Sequence, residues 1–191
     1  MKNKEIYTTI TAGIHKGKKI KIPAIGTTRS TKSILKGSFF DSIQFEIRDH
    51  IFVEVFGGSG SMGLEALSLG AKKAYFIEKN ATAFEILRFN CAQIDKNNTI
   101  CKRADSFEYF ETLLSRIDSK SFFYFDPPFS IRDGMDDVYE KVYQLIGMIP
   151  TSKVALITIE HMSTLKIPKN VAPFMLQKSK KFGKSSLSYY R

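Results

Sequence analysis

Several features that define other protein classes are scarce or missing in this sequence. It has two cysteines and three histidines among its 191 residues. The cysteines, Cys91 and Cys101, are expected to be buried free thiols. The histidines, His15, His50 and His161, are scattered and show no metal-ligand spacing. We therefore expect no metal site.

Long apolar segments are also missing. No apolar run approaches the roughly 20 residues that a helix needs to cross a bilayer. Residues 1–6 are polar, and no apolar core of a secretory signal follows them. These absences predict a cytoplasmic protein without a membrane partner, and nothing in the sequence indicates more than a monomer.

Acidic residues are absent from the last 26 positions, and only one lies in the first 37. The net charge of +10 divides into +8 for residues 1–37, −5 for residues 38–165 and +7 for residues 166–191. Basic flanks on an acidic centre favour a polyanionic partner, most simply a nucleic acid. The alternative is a solvated basic surface that aids solubility.

The remaining composition is that of one globular domain without internal repeats. Hydrophobic residues make up 43% of the chain and charged residues 25%. From residue 51 onward, predicted strands near 51–56, 74–78, 99–104, 121–126 and 154–160 alternate with predicted helices near 62–69, 80–95, 106–117 and 135–148. This alternation predicts a mostly parallel sheet covered on both faces.

The two ends of the chain follow other patterns. Residues 6–22 read as a β-hairpin whose tip carries Lys16, Lys18 and Lys19, which could grip phosphates. Residues 33–45 have the apolar spacing of an amphipathic helix. Two segments around Gly183, 174–181 and 186–190, read as an antiparallel hairpin that closes the sheet.

A dense glycine cluster, residues 57–63, lies between a predicted strand and a predicted helix, and we call it the glycine loop. Gly58, Gly60 and Gly63 fit the pattern G-x-G-x-x-G. Free N–H groups at a helix start and a bare backbone suit a nucleotide-like ligand. NAD enzymes, flavoproteins and S-adenosylmethionine (SAM) methyltransferases all use such loops, and a tight turn without a ligand is also possible.

Two acidic residues lie beside this loop in the predicted sheet. Glu54 ends the preceding strand, where a carboxylate would repel a pyrophosphate and attract a cationic methionine group. Glu78 ends the next strand, where an acid can hold both hydroxyls of a ribose.

A second motif, Asp126-Pro127-Pro128-Phe129, follows the predicted strand 121–126, and we call it the acceptor motif. Prolines donate no backbone hydrogen bond and hold their carbonyls rigidly. With the Asp126 carboxylate they could accept both hydrogens of an exocyclic amino group, while Phe129 stacks on the base. A rigid turn after a strand is the plainer interpretation of this motif taken alone.

Together the two motifs resemble the signature of amino-methyltransferases, and three flanking segments narrow the resemblance. Residues 12–23, residues 29–43 and residues 182–191 resemble the opening, the first helix and the closing strand of the RsmD family of 16S ribosomal RNA guanine-N2 methyltransferases. The similarity covers nearly the whole chain. The sequence departs from the family pattern at Ala12, Ser30 and Gly37.

The resemblance implies a fold, a cofactor and a set of site residues. It implies a Rossmann-like SAM-dependent methyltransferase domain with a seven-stranded sheet over residues 46–191, preceded by a basic RNA-binding extension over residues 1–45. The implied cofactor-binding residues are Glu54, Phe56, Gly57, Gly58, Ser59, Gly60, Glu78, Lys79, Asp105 and Ser106. The implied catalytic residues are Asp126, Pro127, Pro128 and Phe129.

The RNA side would be lined by Lys16, Lys18, Lys19, Arg29, Thr31, Lys32 and Lys36. Solvated surface positions are the alternative for Arg29, Thr31, Lys32 and Lys36, and a helix N-cap is the alternative for Asp105.

Together with the two motifs, the resemblance predicts an enzyme that uses SAM, releases S-adenosylhomocysteine and methylates guanine N2 in 16S rRNA, as free RNA, small subunit or assembly intermediate. A DNA amino-methyltransferase acting on adenine or cytosine would share the pocket, but 191 residues leave little room for a target-recognition region. A small-molecule or protein N-methyltransferase would not explain the basic ends. A catalytically silent RNA-binding module would not explain two intact motifs.

Overall fold

A computed structural model describes residues 5–23, 29–128 and 137–191, with the backbone alone at 29–31. Its strands are β1 (Ile6–Thr9), β2 (Lys19–Ile22), β3 (Ile51–Glu54), β4 (Lys73–Glu78), β5 (Thr99–Arg103), β6 (Ser121–Phe125), β7 (Val154–Met162), β8 (Asn170–Val171), β9 (Phe174–Phe182) and β10 (Ser185–Tyr190). Its helices are α1 (Arg29–Ile43), α2 (Ser61–Ser68), α3 (Ala81–Ile94), α4 (Ser106–Leu114) and α5 (Val138–Gly147), with a 3₁₀ turn at Thr151–Lys153.

The central sheet has the order β5-β4-β3-β6-β7-β10-β9-β8. The strands from β5 to β7 run parallel, and β10, β9 and β8 are antiparallel to their neighbours. The predicted Rossmann-like fold with a C-terminal antiparallel hairpin is thus confirmed. An eighth strand, β8, joins the seven that were predicted, and its two residues are too few to form a sequence pattern.

Chain order reverses between β3 and β6, which are neighbours in the sheet although β4 and β5 lie between them in sequence. In open α/β sheets, a ligand site typically lies at the carboxyl ends of the strands beside such a reversal. The glycine loop follows β3, and the acceptor motif follows β6. The topology therefore brings the two motifs of the sequence to one edge of the sheet.

Each face of the sheet has its own hydrophobic core because side chains alternate along each strand. On β6, Phe122 and Tyr124 belong to the core under α1, α2 and α3, whereas Phe123 and Phe125 belong to the core under α4 and α5. Every residue of β6 is buried. This strand was recognisable in the sequence because its apolar run is short and aromatic.

The N-terminal extension packs on the α1–α3 face. The predicted hairpin is confirmed, with Ile6 opposite Ile22 and Thr9 opposite Lys19. Ile10 and Ile20 are fully buried in the same core as the sheet residues of that face. The extension and the sheet therefore share one hydrophobic core.

Helix α1 differs from its predicted bounds of 33–45. It begins at Arg29 and ends at Ile43, and it runs through Gly37 without interruption. Leu35 and Phe39 are buried against the sheet, and this packing offsets the low helix propensity of one glycine. Phe45, the last residue of the predicted helix, lies beyond the observed end and is 91% exposed.

A buried ion pair joins the extension to the rest of the fold. The ammonium of Lys36 on α1 lies 2.6 Å from Glu65 Oε2 on α2, and both side chains are almost fully buried. Lys36 Nζ also donates to the Thr9 carbonyl. Glu65 Oε1 accepts hydrogen bonds from the Thr11 backbone N–H and hydroxyl and from the Ala12 N–H. One carboxylate thereby fixes the hairpin, α1 and α2 relative to one another.

No helix among residues 5–23, 29–128 and 137–191 combines the length and the apolarity needed to cross a membrane.

We expect Lys36→Ala to lower the free energy of unfolding by about 3–5 kcal/mol, because Glu65 would remain buried without its cationic partner. Urea denaturation would measure the loss. Arg88→Ala is the control: it removes one partner of an exposed ion pair with Glu85 and should change stability by less than about 1 kcal/mol. A loss for Lys36→Ala no larger than the control's would contradict the structural role of the buried pair.

Candidate active site

Two glycines allow the glycine loop to turn tightly from β3 into α2. Gly60 precedes the first residue of α2 with φ +78°, a conformation that favours glycine. Gly63, in the first turn of α2, approaches β4 so closely that a Cβ atom would lie 2.4 Å from the Phe76 ring. The start of α2 is therefore held against the sheet, with its free N–H groups at the carboxyl edge.

Glu54, at the end of β3, caps the start of α2 with its side chain. Gly60, at the N-cap position, offers no side chain, and Glu54 Oε2 instead accepts the Gly63 N–H at 2.8 Å. Burial raises the pKa of Glu54 to about 8, with a further contribution from the negative charge of Asp126; hydrogen bonds from the Gly63 and Met62 N–H groups and the Lys32 charge oppose the shift. A nearby cation would favour the ionised form of this carboxyl.

Glu78 holds the glycine loop from the next strand. Its Oε2 accepts the Gly58 N–H at 2.7 Å, and its Oε1 accepts the Asn80 N–H at 2.6 Å. Each carboxylate oxygen has a second lone pair, so these bonds leave room for hydroxyl donors. A Cβ atom added to Gly58 would meet no atom within 4 Å, which shows open space over this part of the loop.

Asp105 lies at the end of β5 and serves as the N-cap of α4, one of the two roles predicted for it. Its Oδ1 accepts the Phe107 N–H at 2.9 Å, and its Oδ2 pairs with Lys79 Nζ at 2.6 Å. Burial opposes ionisation, but the hydrogen bonds from Lys79 and Phe107 outweigh it and lower the pKa of Asp105. Lys79, predicted to bind cofactor, is thus the partner of an acidic residue at the same edge.

The other predicted cofactor residues lie along the same edge, several with structural partners. The Gly57 N–H donates to the Ile77 carbonyl at 2.7 Å, and the Ser59 carbonyl accepts from Asn90. Ser106 is buried and its hydroxyl donates to the Val55 carbonyl at 2.6 Å. The Phe56 ring packs against the Phe107 ring, with centroids 5.5 Å apart.

The acceptor motif begins directly after β6. Glu54 pairs with Tyr124 in the β3–β6 register, so Asp126, two residues beyond Tyr124, lies next to the end of β3. Asp126 is half-buried, Pro127 is buried and Pro128 is exposed. Phe129, predicted to stack on a base, lies outside the described residues. Asp126 and Glu54 therefore lie close together although they are 72 positions apart in sequence.

Among the predicted RNA-facing residues whose side chains the structure describes, Lys32 contacts the acceptor motif at Asp126. Its Nζ lies 3.4 Å from Asp126 Oδ2, and the Asp126 charge raises the pKa of this ammonium despite partial burial. Arg29 and Thr31 lie in the first turn of α1, and their side chains are outside the described part. Lys16, Lys18 and Lys19 are exposed at the hairpin tip, as the sequence predicted.

Lys36 requires a correction. The sequence placed it on the RNA side, but the structure buries its ammonium against Glu65 and the Thr9 carbonyl. Its position two turns into α1 faces the hairpin and α2. We therefore no longer place Lys36 on the RNA-facing surface.

Two site residues were missed by the sequence analysis. Glu160, on β7, is buried and accepts a hydrogen bond from the Tyr124 hydroxyl at 2.8 Å. Asn90, on α3, donates to the Lys21 and Ser59 carbonyls and accepts the Lys21 N–H, so it ties the hairpin to the glycine loop. Both carry one weak signal in the sequence, a polar residue at a position where the pattern calls for an apolar one.

The two cysteines are free, as predicted: Cys91 is buried, Cys101 is half-buried, and their sulfurs are 3.4 Å apart. Within the described ranges, no group of three or more histidine, cysteine or acidic side chains is arranged to hold a metal ion.

Comparisons with known proteins agree with this fold. The chain is 25% identical over 182 residues to the ribosomal RNA small subunit methyltransferase D of Escherichia coli, covering 95% of this chain and 88% of the relative. The structure of a provisionally named Escherichia coli methyltransferase, YhhF, matches with a TM-score of 0.75 and 24% identity over 96% of this chain and 97% of that one. A provisionally named SAM-dependent methyltransferase of Streptococcus mutans matches with a TM-score of 0.71 and 9% identity over the whole of this chain and 56% of that one.

A family model covers almost the entire sequence. The model described as conserved hypothetical protein 95 matches residues 8–191, from β1 to the last residue. The match includes the hairpin, the glycine loop, Asp126 and the closing strand, the segments on which the resemblance rested. The chain therefore belongs to the conserved hypothetical protein 95 family, the RsmD-like family that its motifs predicted.

Proposed function

We propose that this protein is a SAM-dependent methyltransferase that modifies the N2 amino group of a guanine in small-subunit ribosomal RNA. The observation that carries the proposal is the meeting of Asp126 and Glu54 at the sheet's reversal point, beside the glycine loop. The relatives named as ribosomal RNA small subunit methyltransferase D support the RNA substrate and the reaction class.

The residues around the glycine loop fit the chemistry of SAM. Glu54 is a buried carboxyl whose ionisation a cation would favour, and it lies where the methionine part would bind. Glu78, with its open lone pairs beside Gly58, would hold the ribose hydroxyls. Asp105 would lie by the adenine amino group. When bound, SAM supplies an electrophilic methyl group that needs no further activation.

Asp126 and the Pro127 carbonyl would accept the two N–H groups of guanine N2. The nitrogen lone pair is normally delocalised into the ring, and acceptors on both hydrogens favour a more tetrahedral nitrogen that can attack the methyl group. The same acceptors would stabilise the positive charge that develops on nitrogen, which would then release one proton to solvent, with S-adenosylhomocysteine as the other product. Orientation for in-line transfer supplies much of the remaining rate enhancement.

The basic residues would bind the RNA backbone around this pocket. The exposed lysines of the hairpin tip would contact phosphates away from the reacting base, and Lys32 would contact the RNA next to that base. Arg29 and Thr31 would act nearby. A base within a helix cannot reach Asp126, so the target guanine would have to leave its stack.

The proposed reaction is tested by transfer of labelled methyl from SAM to nucleic acids from a strain that lacks this gene. Small-subunit RNA, small subunits, tRNA and genomic DNA are compared, and the product nucleoside is identified by mass spectrometry. We expect N2-methylguanosine in small-subunit samples only. Methylated adenine or cytosine in DNA would overturn the RNA substrate.

In the same assay, we expect Asp126→Ala to lower kcat by at least about 100-fold, because one of the acceptors for the amino group is lost. Titration calorimetry should show SAM affinity within a few-fold of the wild type. Asp118→Ala, which removes an exposed carboxylate before the amino end of β6, at the opposite end of that strand from Asp126, is the control and should leave both values unchanged. Turnover by Asp126→Ala close to that of the control would refute the acceptor role.

SAM binding should depend on pH through Glu54. With its pKa raised to about 8, Glu54 is mostly protonated at pH 7, and a bound sulfonium would favour the ionised form. Binding would then release a proton, so SAM affinity should rise with pH from 6 to 8, by at most about tenfold per pH unit, and level off above 8.

Titration calorimetry in buffers of different ionisation enthalpy would measure the proton release. Glu54→Gln should flatten the dependence, and S-adenosylhomocysteine, which lacks the sulfonium charge, should show a shallower one. Equal slopes for wild type and Glu54→Gln would assign the proton to another group.

We expect replacement of Lys16, Lys18 and Lys19 by glutamine to weaken RNA binding and to reduce the salt dependence. If each lysine neutralises one phosphate, the slope of log K against log salt should fall by about 2–3. A control with Lys72, Lys96 and Lys120 replaced by glutamine changes the net charge equally at exposed positions outside the hairpin. Fluorescence anisotropy with small-subunit RNA measures the affinity and its salt dependence for both variants. If the hairpin variant and the control variant have equal salt slopes, the RNA does not bind the hairpin tip.

A further inference from the structure

One buried carboxylate beside the acceptor motif has no use in the function proposed so far. Glu160 lies near the end of β7, and its side chain is 3% exposed. In the parallel pairing of β6 with β7, Phe125 is opposite Ile159. Extending that register by one residue places Asp126 beside Glu160, at a strand spacing of about 4.8 Å.

The two oxygens of Glu160 differ in their surroundings. Oε2 accepts a hydrogen bond from the Tyr124 hydroxyl at 2.8 Å, and this tyrosine is itself fully buried under α1. Oε1 is buried and makes no hydrogen bond of good geometry, although the Ser185 hydroxyl lies near enough to the carboxylate to lower its pKa. Buried polar atoms almost always have a partner, so Oε1 has acceptor capacity that an arriving donor could use.

The charges around Glu160 also indicate a missing donor. Burial raises the pKa of its carboxyl to about 7, and the negative charge of Asp126 adds to the shift, while Lys32 and the hydroxyls of Tyr124 and Ser185 oppose it without cancelling it. Glu54 also lies in this group of charges, since both Asp126 and Lys32 act on it. A hydrogen-bond donor without negative charge would therefore stabilise the ionised form of Glu160.

Guanine presents such a donor in the required place. Its N1–H lies next to its N2 amino group on the Watson–Crick edge, so the two point toward the same side of the base. Adenine and cytosine each present a ring nitrogen lone pair beside their amino group. A carboxylate next to the amino acceptor would bind the guanine edge and repel the other two.

We propose that Glu160 accepts the N1–H of the target guanine and so selects guanine over other bases that carry an amino group. The proposal rests on the function proposed above and names the residue that sets its base specificity. Asp126 would accept from N2, Glu160 would accept from N1, and Tyr124 would hold Glu160 in position through Oε2.

Base analogues at the methylated position test this role. They are placed by splinted ligation into whichever small-subunit RNA or subunit the wild type methylates. 2-Aminopurine and 2,6-diaminopurine keep the N2 amino group but have a lone pair at N1. 6-Thioguanine keeps the N1–H and changes position 6 alone. The measurement is kcat/KM for each base, with wild type, Glu160→Gln, Tyr124→Phe and the exposed control Glu111→Gln.

With the wild type and Glu111→Gln, we expect kcat/KM to fall about 10- to 100-fold for the two analogues without N1–H, because a hydrogen bond to a charged group is lost. 6-Thioguanine should stay within a few-fold of guanine. Glu160→Gln should lower kcat/KM for guanine and bring all four bases within about threefold, since an amide can either donate or accept. Tyr124→Phe should reduce the discrimination by a few-fold.

The outcomes separate this role from the proposed function. Guanine methylation by the wild type with equal rates on 2-aminopurine would overturn the role of Glu160 and leave the function intact. The role of Glu160 is also overturned if Glu160→Gln has the SAM affinity and circular dichroism spectrum of the wild type and still discriminates fully between guanine and the analogues without N1–H. If Glu160→Gln does not fold, two other results overturn the role: Tyr124→Phe discriminates as well as the wild type, or the wild type itself does not discriminate. Absence of any N2-methylguanosine would refute the function itself.

Discussion

The buried pair of Lys36 and Glu65 is the interaction on which the arrangement of this site depends. Three separate stretches of chain converge on the Glu65 carboxylate: the loop after β1, helix α1 through Lys36, and α2, on which Glu65 itself lies. Helix α2 begins at the glycine loop, and α1 brings Lys32 to within 3.4 Å of Asp126. Holding these helices in register therefore holds the cofactor side and the RNA side of the proposed site together.

A buried ion pair contributes more to this register than to net stability. Removing two charges from water is costly, and an apolar pair of similar volume is often equally stable. The carboxylate, however, can be satisfied only when Thr11, Ala12 and Lys36 all reach it, which excludes other placements of the hairpin. Asn90 adds a second fixed point by bonding to both Lys21 and Ser59. The hairpin is thereby attached to α3 and to the glycine loop.

Much of the fold could be predicted because its signals are local. The aromatic run of β6, the glycines between β3 and α2, and the alternation of strands and helices each lie within a few residues. The Lys36–Glu65 pair could not be predicted, since nothing in the neighbourhood of either residue names its partner 29 positions away. A lysine in a basic segment looks like a surface residue until the fold supplies a buried acid. Strand β8 was missed for another reason: two residues carry no periodicity.

The residues of the candidate site also divide into those with a local sequence signal and those without one. Glu54, Glu78, Asp105 and Asp126 were identifiable because each ends a recognisable strand. Glu160 also ends a predicted strand, 154–160, but no glycine or proline motif follows it, and β7 continues to Met162 in antiparallel pairing with β10. Its place beside Asp126 appears only with the parallel register between β6 and β7. Residues that act through neighbouring strands require the sheet order, which the sequence does not contain.

The charge distribution gives a physical reason why a basic protein keeps an acidic cluster at the proposed site. Glu54, Asp126 and Glu160 cluster at one sheet edge with Lys32 as their neighbour, whereas the exposed Lys16, Lys18 and Lys19 lie on the hairpin outside it. Under the proposed function, phosphates would bind the outer basic surface and be repelled by the pocket, where the N–H groups of a base edge and a cationic methyl donor are favoured. The separation of charge would then sort the parts of one nucleotide, with the backbone outside and the base inside. A uniformly basic pocket would lack this discrimination, because it would attract phosphate to the position that the amino group must occupy.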